Sequence, residues 1–188
     1  MPVSVASPVE GTRLAPAIRA LVRLALRDQG RHPGEIAVVL GDDALLRDLN
    51  RRYRRIPRTT DVLSFAYDEG PGRDRASSRG GRRDPARAQR AGVRAQRAGA
   101  GVSGDIVVSL ERVVVQARRF RVSRAEELAR LLVHGALHLA GLDHHVVTER
   151  RHMRACEERV LREARPFVRA LERMTEGSGF RDGLGGAG

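Results

Sequence analysis

The chain has no lysine and no tryptophan, a single cysteine, and only two tyrosines and four phenylalanines in 188 residues. One cysteine, Cys156, excludes an internal disulfide and a thiolate-rich zinc site. So few aromatic rings exclude extensive base stacking as a way of recognising nucleic acid. No apolar run approaches the roughly 20 residues needed to cross a bilayer. The opening stretch MPVSVASPVE lacks a basic start followed by an apolar block, so neither a membrane span nor a signal peptide is expected. What is present in excess is arginine, which supplies all 35 basic residues against 23 acidic ones, a net charge of +12. Its planar fork suits phosphate, and a charge of this sign suits a polyanion such as RNA. The missing lysine fits biased coding better than function. Apolar residues make up 41 %, enough for one core in a chain of this size. A soluble, cytoplasmic, single-domain protein is expected.

Half of the net charge lies in one stretch. Residues 69–103 hold nine arginines and three acids, almost no large apolar side chain, and RAQRAG twice, at 87–92 and 94–99. Such a composition cannot offset the entropy of ordering. It reads as a disordered insertion within a domain spanning 1–175, and suits a tolerated loop better than an RNA-contacting arm. Residues 176–188 form a Gly-rich, flexible tail.

Elsewhere, Ile18, Leu21, Val22 and Ala25 share one helical face, giving a helix near 14–28. EIAVVL at 35–40, VLSF at 62–65 and DIVVS at 105–109 read as strands. Asp42 or Asp43 can cap a helix carrying Leu45, Leu46 and Leu49. Residues 110–120 make a helix with Val113, Ala117 and Phe120 inward. Ser123 and Glu126 form a capping box for a helix reaching Ala140 and ended by Gly141. A last helix starts near Thr148 and is broken or kinked at Pro166. The expected fold is α+β, a small mixed sheet of about four strands against about five helices, with the functional site on a central helix.

That site is HGALHLAGLDH at 134–144. His134 and His138 lie four apart on one helix face, and Gly141 lets the chain turn back so that His144 can join them. Three neutral imidazoles with an open fourth position describe a catalytic zinc site, one ion per chain. His32, His145 and His152 read as surface residues, and Cys156 as core. The histidine spacing is also that of metzincin proteases, but Gly135 stands where those enzymes carry their general base.

These residues resemble the YbeY family of bacterial rRNA maturation factors. HGALHLAGLDH is similar to its histidine signature, Leu49-Asn50 through Tyr53-Arg54 and Thr60 through Phe65 to its L-N-x-x-Y-R and T-D-V-L-S-F blocks, and Gly104 through Ser109 to its G-D-I strand. Met153 and Glu157 fall where its last helix has M-x-x-x-E. Leu142, Pro57 and Ala66 depart from the pattern. The resemblance implies an α+β fold, zinc on His134, His138 and His144, and single-strand-specific endoribonuclease activity. It places that activity in 16S rRNA 3′-end maturation, ribosome assembly and ribosome quality control. Partners would be single-stranded rRNA and the small ribosomal subunit, with no membrane and no small-molecule cofactor. Arg54 would clamp a phosphate. Asp143 either holds a ligand histidine or shapes the turn, and Ser64 and Asp105 are weaker candidates. The alternatives are a non-catalytic, zinc-stabilised assembly factor and a metallopeptidase.

Overall fold

The computed structural model describes residues 3–6, 11–67, 101–142 and 146–177. Most of the expected insertion, together with Asp143, His144, His145 and residues 178–188, lies outside the described residues.

Four strands form one sheet in the order β1-β2-β4-β3: β1 Val3–Ala6, β2 Pro33–Gly41, β3 Val62–Tyr67 and β4 Val102–Ser109. The first three in that order are parallel, and β3 runs antiparallel to β4. The sheet is mixed, as expected. β1 is the strand the pattern does not give, being four residues of VSVA paired with Ile36–Val39. β4 starts at Val102, so the last two residues of the stretch expected as disordered belong to a central strand. Val102 and Ser103 are both buried, which the arginine-rich run before them conceals.

Among the described residues, six α-helices accompany the sheet: α1 Gly11–Asp28, α2 Asp43–Leu49, α3 Leu110–Phe120, α4 Arg124–Leu139, α5 Val147–Glu163 and α6 Arg165–Gly177. One more than expected arises because the last helix is two. The break falls at Ala164, and Pro166 sits in the first turn of α6, where its missing N–H leaves no intrahelical bond unmade. Asp42 caps α2 by accepting from the Leu45 N–H at 2.8 Å. Phe120 is not inward but 55 % exposed, since Arg121 adopts a left-handed conformation that ends α3 and turns the chain away.

The main core lies between one sheet face (Val3, Ile36, Val38, Leu40, Ile106, Val108) and helices α1, α4, α5 and α6. The other face carries a small cluster, Leu46, Leu63 and Val107, under α2. Helix α4 is apolar on almost every side and packs against α1, α3, α5, α6, β3 and β4. It is a buried central helix, so polar side chains on it need a reason. Gly135 lets it sit close to the sheet, for a Cβ there would meet the Ile106 Cγ2 at 2.9 Å. The position where a protease carries its base is therefore turned into the core.

Candidate metal centre

Two devices fix the register of α4. Ser123 accepts from the Glu126 N–H at 3.1 Å while the Glu126 carboxylate accepts from the Ser123 N–H at 2.7 Å, the expected capping box. At the other end Gly141 takes φ +99°, and the N–H groups of Gly141 and Leu142 return to the carbonyls of His138 and Leu137, both at 3.0 Å. Between these ends His134 and His138 share a side, their rings edge to face with centroids 4.7 Å apart.

Each imidazole is held through its Nδ1. His138 Nδ1 lies 2.9 Å from the Leu142 carbonyl oxygen, and His134 Nδ1 lies 2.6 Å from Glu157 Oε1 on α5. A carbonyl only accepts, so His138 Nδ1 carries its hydrogen and Nε2 presents a lone pair. The Glu157 carboxylate, as an acceptor, imposes the same tautomer on His134. The two Nε2 atoms then face each other at 3.2 Å. At the ~2.0–2.1 Å typical of zinc–imidazole bonds, that separation subtends an angle of about 100°, close to tetrahedral. The donor set fits a zinc-like ion. His144, expected as the third ligand, and Asp143, the candidate beside it, fall outside the described residues.

Leu142 explains one departure from the resemblance. The site uses its backbone carbonyl, which any residue supplies, while its side chain packs on the core.

Glu157 is the functional residue that sequence reasoning leaves without a role. Its spacing after Met153 is visible, but contact with His134 requires α5 to fold back along α4. Glu157→Gln keeps the shape and an acceptor for Nδ1–H but removes the charge that raises the basicity of His134 as a ligand. It is expected to weaken zinc binding by about 10–100-fold, read by competition with a chromophoric chelator, with an unchanged melting temperature of the metal-free protein. Equal zinc affinity in the two proteins would overturn this role.

One turn before His134, Arg130 forms a two-pronged pair with Glu127, at 2.6 and 2.9 Å. Glu127 is buried, and its carboxylate raises the Arg130 pKa.

Arg54 is presented differently. It ends a π-helical turn, Asn50–Arg54, whose other motif residues are structural. Leu49 packs on the small cluster, the buried Asn50 donates to the Arg58 carbonyl at 2.7 Å, and Tyr53 packs on Phe65 with centroids 5.1 Å apart. Arg54 itself is exposed, and has no hydrogen-bonded or ionic partner among the described residues. Ser64 and Asp105 are separated by strand alternation. Ser64 pairs with Ile106, which touches Gly135, so Ser64 shares the face that α4 covers. Asp105 faces the opposite side, where it accepts from the Tyr67 hydroxyl and pushes the pKa of that group up to about 12.

Residues 6–165 match the family model for Endoribonuclease YbeY. Among curated relatives, an Endoribonuclease YbeY of Moorella thermoacetica is 36 % identical, covering 82 % of this chain and 88 % of its own length. One from Heliobacterium modesticaldum is 41 % identical over 68 % of each chain. One from Roseiflexus castenholzii is 39 % identical over 76 % of this chain and 78 % of its own. The solution structure of a Thermotoga maritima protein superposes with a TM-score of 0.55 at 20 % identity, covering 95 % of this chain and 97 % of that one, a likeness of fold.

Proposed function

The chain belongs to the YbeY endoribonuclease family, and from that premise we propose a zinc-dependent, single-strand-specific endoribonuclease that matures the 3′ end of 16S rRNA. Roles in ribosome assembly and quality control, a cytoplasmic location and contact with the small ribosomal subunit follow from the same reading. No helix among the described residues is long and apolar enough to cross a membrane.

The observation that carries it is the pair of Nε2 atoms facing each other at 3.2 Å with both Nδ1 atoms engaged. His134 and His138 would hold the ion, with His144 as third ligand. When bound, such an ion supplies positive charge against the negative charge that develops on a phosphoryl group. The remaining work falls to the chain. Glu157 and the Leu142 carbonyl keep both imidazoles in the tautomer that donates from Nδ1. Arg54, held out by the π-helical turn, pairs with a phosphate oxygen and orients the strand. The buried Gly135 places no carboxylate beside the histidines, which disfavours peptide hydrolysis.

The test uses the full chain stripped of metal by a chelator and then given one equivalent of zinc. The expected result is no cleavage of a single-stranded 16S rRNA 3′ fragment by the stripped protein and restored cleavage after zinc. One bound zinc per chain without cleavage would overturn the nuclease reading in favour of a structural site.

A further inference from the structure

Helix α5 carries Arg150, Arg151 and Arg154 in its first two turns, all exposed. With Val147 they line a recess of about 240 Å³. None of the three guanidinium groups has a hydrogen-bonded or ionic partner among the described residues. The one acid in the first turn, Glu149, is spent on the helix start, where its carboxylate accepts from the Val146 N–H at 3.2 Å. Arg150 and Arg154 are an i,i+4 pair of like charge, which by itself destabilises a helix. Cations near a helix N-terminus add to that repulsion. A guanidinium cluster left unneutralised at such a place is relieved by an anion.

Its position says which anion. Arg150, Arg154 and Glu157 follow one another at i, i+4 and i+7, and so share one stripe of α5. Glu157 at the end of that stripe touches His134. The arginines therefore begin about one turn, or about 5 Å along the axis, from the residue that orients the metal ligand, and extend about 10 Å from it.

We infer that Arg150, Arg151 and Arg154 form a phosphate-binding subsite that holds the backbone of single-stranded RNA beside the histidine centre. This rests on the nuclease reading. Arg150 and Arg151 lie outside the motifs that carry the family resemblance, Arg154 fills a variable position of M-x-x-x-E, and the three position substrate without touching the reacting atoms. Guanidinium forks on successive backbone phosphates would set the direction in which the strand crosses the site, independently of its sequence.

The test compares the zinc-loaded wild type with an Arg150→Gln, Arg151→Gln, Arg154→Gln triple variant and with a control of equal charge loss, Arg23→Gln, Arg118→Gln, Arg119→Gln. Binding of a fluorescein-labelled single-stranded oligoribonucleotide is followed by anisotropy across a range of salt, beside zinc content and cleavage. The subsite variant is expected to bind at least about tenfold more weakly at low salt. Its log–log salt slope should fall by about 2, from about 0.7 for each single-strand phosphate that is no longer neutralised. Its zinc content should match wild type, and the control should keep most of its affinity and slope. Equal affinities and slopes for the two triple variants would overturn the subsite while wild-type cleavage keeps the nuclease reading. Loss of zinc along with affinity would also overturn it, since the arginines would then be holding the metal centre. A wild-type protein that neither binds nor cuts RNA would remove both.

Discussion

If the proposed zinc reading holds, a His138→Ala chain is expected to lose zinc binding and nuclease activity together while keeping its fold. The substitution removes one of the two facing Nε2 atoms, and with it the pairing that matches a tetrahedral ion. It also removes the ring held by the Leu142 carbonyl. The turn around Gly141 survives, because its two backbone hydrogen bonds involve no side chain. Alanine is the better helix former by roughly 0.5 kcal/mol, so α4 is not weakened locally. Cleavage should fall on the order of 10³-fold or more, the scale seen when a charge-stabilising element of an active site is deleted. Zinc counted per chain, cleavage rate and the far-ultraviolet dichroism of matched preparations read the three quantities. Cleavage that persists in the variant would place the activity elsewhere, and a collapsed dichroism spectrum would make the histidine a folding residue.

Arg130→Leu is expected to cost the most stability of any single exposed-edge change on α4, about 3 kcal/mol. The reason is an asymmetry in the pair. Arg130 is 36 % exposed while the Glu127 side chain is 1 % exposed. Removing the arginine strands a carboxylate that cannot reach water, and breaking a buried pair from one side typically costs about 3–5 kcal/mol. The partial exposure of Arg130 puts the figure at the lower end. Urea unfolding at neutral pH reads the loss. A double variant, Glu127→Leu with Arg130→Leu, should recover most of the loss, because no charge is left buried. A single variant as stable as wild type at neutral pH would show that Glu127 finds another partner.

The parts of the fold that are readable in the sequence are those governed by local rules. The capping box at Ser123 and Glu126, the helix stop at Gly141 and the short apolar run EIAVVL at 35–40 each depend on a few neighbouring residues, and each stands where its pattern puts it. The two central histidines are readable for the same reason, being one helical turn apart. What escapes depends on a neighbour's backbone conformation or on distant packing. Phe120 has the spacing of an inward residue, but the left-handed Arg121 decides otherwise. Four residues of VSVA carry too little signal to announce β1 without the β2 edge they pair with. Glu157 looks like one more charge on an arginine-rich helix until α5 lies against α4. Arg130 and Glu127 look like an exposed i,i+3 pair until the burial of one partner is known.

The antiparallel neighbours β3 and β4 are adjacent in the sheet, yet more than thirty residues separate Tyr67 from Val102. Adjacent antiparallel strands ordinarily need only a two- to five-residue turn. For an ideal chain, going from about four residues to that separation is about three doublings, a closure cost of only about 2 kcal/mol. That penalty is borne by a strand pair which α4 clamps from one side through Gly135 and Ile106. The junction is thus a port in the architecture: foreign sequence can be spliced between these strands, a fluorescent reporter or a tethering domain for instance, with the histidine helix keeping its seat.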